Sequence, residues 1–345
     1  MSEPSSDPRD DPPRSGRIIR RAVALVAALV VLYLFLPSLG EVLSAWPRLA
    51  HLNPLWIGVA VLAEAASFAC VWWLLCLALR SKNWFAISTS QLAGHALSRV
   101  VPAGAAPGAA LQYRMLSASG IDAAAAGSAL TAVTLLQLAT LSAIPVLSLL
   151  LSLLGQPINR GLREAAWVGL GFFVALTAVG AVLVTSDRAV STLGRAIQGV
   201  RNRFRRHRAA IRDFPKRLRD ERNMVRQALG ENWVAALLAT VGKWAFDYGA
   251  LLASLAAVGA NPNPGLVLLA YAAGQVLAMI PITPGGLGFV EAGLTGVLAL
   301  AGVSAGDAVL ATLSYRLVSF WMPLPGGLIS YAIFRRRYRA ELKAA

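Results

Sequence analysis

Six stretches of this chain are long and apolar enough to cross a bilayer, and no other feature limits its fold so severely. About 20 consecutive apolar residues span the hydrocarbon core. Residues 18–36, 54–79, 123–153, 164–185, 232–259 and 307–333 each meet that length with few charges. The composition agrees, with 57% hydrophobic and 14% charged residues, against roughly 45–50% and 25% in soluble domains. A soluble enzyme, a disordered chain and a disulfide scaffold are excluded. Cys70 and Cys76 lie six apart on different faces of one predicted helix and cannot bridge each other. The expected fold class is an all-α polytopic membrane protein occupying residues 18–338. Residues 1–17, rich in Pro, Ser, Asp and Arg, read as a disordered cytoplasmic tail. No small-x-small cleavage site follows Pro37, so the first apolar stretch is expected to be a retained helix.

Two further apolar stretches, 85–112 and 265–303, are broken near their middles by Pro and Gly. If each enters and leaves the membrane on one side while the six unbroken helices cross, Arg80 and Lys82, the 187–230 segment and the RRRYR tail all fall on the side of the N-terminus. The positive-inside rule makes that side cytoplasmic, with both termini there. Letting the second broken stretch cross would export the basic tail. The two broken stretches also share a pattern. Ala93-Gly94-x-x-Leu97 matches Ala273-Gly274-x-x-Leu277, and each is followed by a Pro/Gly break. On this topology the first opens from the cytoplasm and the second from outside, which predicts an inverted repeat of two re-entrant broken helix pairs. Broken backbone at membrane depth cannot face lipid, because unsatisfied peptide groups there cost several kcal/mol each.

The net charge of +15 does not signal nucleic acid. Residues 187–230 hold thirteen Lys or Arg against four Asp or Glu. They read as a basic amphipathic insertion on the anionic cytoplasmic leaflet, with Phe204, Ile211, Phe214 and Leu218 as apolar contacts. More telling are ionisable residues within the apolar stretches: Glu64, His95, Arg99, Lys243, Asp247, Glu291 and Arg316, with Arg114 just beyond the first break. Charges at bilayer depth are costly and mark cavities or partners. Lys243 and Asp247, four apart, are expected to neutralise each other. Glu291 and Arg316 are expected either to pair between helices, bracing the second break, or to meet a polar headgroup. Arg99 is suited to phosphate oxygens. No phosphate-binding loop, HExxH, metal-ligand spacing or GxSxG is found, so neither enzyme activity, nor a metal, nor a cofactor is expected.

Pro281-Ile282-Thr283-Pro284-Gly285-Gly286-Leu287-Gly288-Phe289-Val290-Glu291, continued by Gly302-Val303 and Ser314-Tyr315-Arg316-Leu317 through Phe320-Trp321, resembles the signature of the flippase-like lysylphosphatidylglycerol synthase transmembrane-region family, also called UPF0104. Gly94, Pro102, Gly104, Gly108 and Arg114 extend the likeness into the first half. Two positions depart from the family pattern: Ser98-Arg99, where Asn is common near the first Pro, and Gln137, where an Arg is common. The resemblance implies a relative of the domain that moves aminoacylated phospholipids across the membrane in multiple-peptide-resistance proteins. It also implies a stand-alone member without the aminoacyl-transferase domain, so lipid synthesis is not expected.

The resulting expectation is a lipid translocase without its own ATP site, in the bacterial inner membrane. Arg99, Arg114, Pro284, Gly285, Gly286, Glu291 and Arg316 are the expected headgroup-binding residues. Membrane lipids with anionic heads are the expected partners, and nucleic acid is not. A partner glycosyltransferase or aminoacyl-transferase and a homo-oligomer are the further associations foreseen. The alternative reading is a membrane scaffold or accessory subunit of an envelope-lipid or glycan synthesis enzyme.

Overall fold

The structure is a computed structural model that describes residues 52–101, 104–153, 232–278 and 283–341, with single positions elsewhere. Apart from such positions, the 1–17 tail, the stretches 18–36 and 164–185 and the basic 187–230 segment lie outside the described residues, as do Pro102, Pro281 and Ile282. Among the described residues every regular element is helical: α1 (Pro54–Leu79), α2 (Trp84–Val100), α3 (Ala105–Ala118), α4 (Ala123–Leu153), α5 (Trp233–Ala257), α6 (Pro264–Ala278), α7 (Phe289–Leu300), α8 (Ala305–Arg316) and α9 (Pro323–Arg337). A short 3₁₀ turn, Pro284–Gly286, precedes α7, and a π-helical turn, Leu317–Trp321, joins α8 to α9.

The starts follow from capping chemistry. Asn53 accepts from the Leu55 amide at 3.0 Å with Pro54 in the first turn, Asn83 from Ala86 at 3.1 Å, Asp122 from Ala125 at 2.9 Å, and Ser304 from Asp307 at 3.2 Å. Each satisfies an amide that the first helical turn leaves without a partner. The π turn has a local cause. Pro323 has no N–H, and its ring crowds the preceding turn. The Met322 amide reaches back five residues to the Leu317 carbonyl at 2.9 Å, so the chain continues as one rod from Ala305 to Arg337.

Among the described residues, three helices are long and apolar enough to cross a membrane: Pro54–Leu79, Ala123–Ile144 and Ala305–Arg337. They coincide with three of the expected spans. The 25-residue α5 matches a fourth in length, but it carries Lys243 and Asp247. α2, α3, α6 and α7 have 17, 14, 15 and 12 residues. At 1.5 Å per residue they measure only about 18–25 Å, short of the roughly 30 Å core.

α1 and α5 pack along one another. They run antiparallel, since the Asn53 amide before α1 donates to the Ala257 carbonyl at the end of α5 at 3.3 Å. α2 packs on α3 and α6 on α7. α9 covers α2, and α4 covers α6. One end of the molecule gathers base. The Asn83 side-chain amide donates through Nδ2 to the Tyr338 hydroxyl at 3.4 Å and Phe85 stacks on Phe334 at 6.5 Å, which places Arg80 and Lys82 beside Arg335, Arg336 and Arg337. Outward faces are apolar: Leu62 and Leu328 are each 71% exposed, and Leu238 is 60% exposed. Such surface on a monomer calls for lipid or protein, not water.

Candidate functional site

Except for Glu291, the charges that stand out in the apolar stretches converge on one cavity of about 230 Å³. α1 contributes Glu64, Ser67 and Phe68, α2 contributes Gln91, His95 and Arg99, and α4 contributes Gln137. From the second half come Lys243, Trp244 and Asp247 of α5, Tyr271 and Gln275 of α6, and Tyr315 and Arg316 of α8. The π turn adds Ser319.

Two ion pairs flank this space. Arg316 donates through Nε to Glu291 Oε1 at 2.6 Å, and their side chains are only 3% and 12% exposed. Its Nη2 also donates to the Gly285 carbonyl at 3.3 Å. The other Glu291 oxygen accepts from the Gly288 amide at 2.7 Å, capping α7. Glu291 thus ties α8 to the second break, the bracing arrangement among the two expected for this pair. A carboxylate in the first turn also suits the positive end of the α7 dipole. In the second pair, Lys243 Nζ donates to Asp247 Oδ2 at 3.0 Å, and the Tyr315 hydroxyl donates to Asp247 Oδ1 at 2.6 Å. Gln275 donates to that hydroxyl at 3.1 Å. Lys243 Nζ also lies 3.2 Å from the centre of the Trp244 ring.

Arg99 differs from the other cations. Its guanidinium carbon lies 5.2 Å from the centre of the Phe320 ring, on which Arg316 also sits at 4.2 Å. Arg99 has no ion-pair partner among the described residues. Ring contact stabilises a cation modestly, by about 0.5–2 kcal/mol, and does not cancel its charge. Phe320 itself is fully buried and packs with Leu287. Gly285 has φ +57°, in the left-handed region, and a Cβ there would run into the Phe320 ring and come within 3.2 Å of Arg99. The Pro-Gly-Gly turn, the shared ring and both arginines form one packed unit.

A family profile described as the lysylphosphatidylglycerol synthase transmembrane region matches residues 21–327. The chain belongs to that family. A UPF0104 membrane protein of Methanothermobacter thermautotrophicus is 33% identical over 98 residues, and that match spans 28% of each chain. The lysylphosphatidylglycerol synthase transmembrane-region assignment makes this an integral membrane protein and agrees with the resemblance carried by the 281–291 motif.

Of the residues expected to bind a headgroup, the family member's structure brings Arg99 and Arg316 to the cavity wall. It places Gly285 and Glu291 immediately behind Arg316. Pro284 and Gly286 are buried in the turn, and Arg114 lies exposed on α3, away from the cavity. Lys243 and Asp247 form the expected pair and also line the cavity. Gln91, Tyr271 and Gln275 were not singled out by sequence, and Tyr315 only as part of the motif around Arg316. Ordinary polar residues in a helix carry no sign of which way they point until the helices are packed.

Proposed function

We propose that this protein moves lipids by passing the polar head of an anionic phospholipid or glycolipid through the central cavity while the tails stay in the bilayer. The observation that carries the reading is Arg99, a cation with no carboxylate partner among the described residues, sharing the Phe320 ring with Arg316. A phosphate between the two guanidiniums would relieve their mutual repulsion and accept several charge-assisted hydrogen bonds. The remaining cavity polar groups would replace the water the head loses.

On this reading the two short helix pairs, α2–α3 and α6–α7, are re-entrant and related as an inverted repeat. The antiparallel α1–α5 contact, the equivalent pairings in each half and the sub-membrane lengths of all four helices support it. The basic end bearing Arg80, Lys82 and Arg335–Arg337 would be cytoplasmic, as the positive-inside rule requires. Any net movement against a gradient would draw on an ion gradient.

Reconstitution tests the reading. Proteoliposomes carrying the protein should move fluorescent phosphatidylglycerol between leaflets faster than empty vesicles, and Arg99→Ala should return the rate most of the way to the empty-vesicle value. Equal rates in protein-containing and empty vesicles would remove the translocase reading. Equal rates in wild type and Arg99→Ala would remove the arginine site.

A further inference from the structure

Of the carboxyl, lysine and arginine side chains around the cavity, two have no ion-pair partner among the described residues: Arg99 and Glu64. Lys243 is closed on Asp247, and Arg316 on Glu291. Asp247 is further committed, since its second oxygen holds Tyr315. Glu64 is 8% exposed near the middle of α1, and its Oε2 is buried with no hydrogen-bond partner. The groups facing it come from every side of the cavity. α5 presents Lys243 and Asp247, α2 presents His95 and Arg99, α6 presents Tyr271, and α8 presents Tyr315 and Arg316. α4 contributes the neutral Gln137, and the π turn contributes Ser319.

This arrangement has a simple arithmetic. The two closed pairs sum to zero. With Glu64 ionised, it offsets Arg99 and the cavity is neutral overall. With Glu64 protonated, Arg99 leaves the cavity with a single positive charge, which one phosphodiester matches. We propose that Glu64 is a proton-binding site linked to headgroup binding, so that one monoanionic headgroup and one proton occupy the cavity together. The linkage rests on the headgroup reading given above. The proton comes from water, forms an O–H bond on the Glu64 carboxylate and breaks no other protein bond. It leaves by the same bond when the anion leaves. Linkage is reciprocal: the anion favours the proton on Glu64 as much as the proton favours the anion. The pair moves no net charge, so a pH difference across the membrane would drive the anion with it.

The test uses the full chain in detergent with dihexanoyl phosphatidylglycerol, whose single charge does not titrate over roughly pH 5 to 9. Calorimetric titrations across that range, in buffers of different ionisation enthalpy, report affinity and protons exchanged. Wild-type affinity should fall about tenfold as pH rises through the Glu64 titration, a typical coupling between two sites. Near the midpoint, protons should be taken up on binding. Glu64→Gln, which cannot ionise, should give a flat profile with no proton uptake. His95→Gln, which removes a cavity imidazole whose Nε2 is buried without a hydrogen-bond partner, should keep the wild-type slope. A flat wild-type profile overturns the linkage while leaving the headgroup site standing. So does a Glu64→Gln profile with the wild-type slope, a folded Glu64→Gln that binds nothing, or a slope lost only in His95→Gln. No binding by wild type at any pH instead removes the headgroup site, and the linkage with it.

Discussion

At the scale of single residues, the Glu291–Arg316 pair is the contact whose loss should be felt most. Both side chains are almost fully buried, so removing one charge strands the other without water. Breaking such a pair from one side costs about 3–5 kcal/mol, while neutralising both sides is far milder. Glu291→Gln should therefore lower the midpoint of denaturant unfolding in detergent more than the Arg316→Met, Glu291→Gln double variant does. The amide oxygen in either variant can still accept from Gly288, which keeps the α7 cap out of the comparison. The glycines of the turn give a second contrast. Gly285 and Gly288 both have positive φ, at +57° and +82°, but a Cβ on Gly285 strikes Phe320 while one on Gly288 meets open space. Gly288→Ala should cost only the strain of its positive φ, about 1–3 kcal/mol. Gly285→Ala should cost that and about 1–3 kcal/mol of overpacking besides, read in the same unfolding experiment. Arg99, Glu291 and Arg316 were legible in the sequence because a charge amid apolar residues is conspicuous. The rest of the site was less so. Lys243 and Asp247 satisfy each other at a spacing of four, which gives no hint that Tyr315 from another helix completes the carboxylate.

Among the elements, the broken stretches were legible because Pro and Gly interrupt them. The expected 85–112 break resolves into α2 and α3, two helices too short to span, held in close contact by glycine. A Cβ on Gly94 would lie 2.8 Å from the Gly108 carbonyl, and one on Gly108 would collide with the Gly94 carbonyl. Small residues that let backbones approach are how helices associate where no hydrophobic force separates protein from lipid. Gly108→Val should wedge α2 from α3 and destabilise by about 1–3 kcal/mol or more. Gly58→Ala should do the opposite. Gly58 sits in α1 with nothing near a new Cβ, and removing a mid-helix glycine gains about 0.5–1 kcal/mol. Thermal unfolding of the two variants should shift in opposite directions. The π turn was not legible. Residues 307–333 read as one continuous apolar run, and Pro323 announces a fault in a helix without saying how the hydrogen bonds will be rearranged.

For the molecule as a whole, the proposed inverted arrangement makes a demand that local pattern cannot meet by coincidence: the joints of the two halves must face opposite aqueous phases. Asp122, between α3 and α4, and Asn261, between α5 and α6, are both exposed and both lie between helices. If α2–α3 is re-entrant from the basic end, Asp122 shares that end with Arg80 and Lys82. Because α1 and α5 are antiparallel, Asn261 sits at the other end, near the start of α1. Cys70 and Cys76, both only half-buried, would first be replaced by Ser. Asp122→Cys in the resulting background should then react with a membrane-impermeant maleimide only after the cells are opened. Asn261→Cys should react in intact cells. Ser304→Cys, between α7 and α8 and also exposed, should follow Asn261→Cys, because a re-entrant α6–α7 pair returns the chain to the side it left. If Ser304→Cys follows Asp122→Cys instead, α6 and α7 together cross the membrane. The opposed pairs, and the shared cavity they are proposed to open on both sides, would then have no topology to stand on.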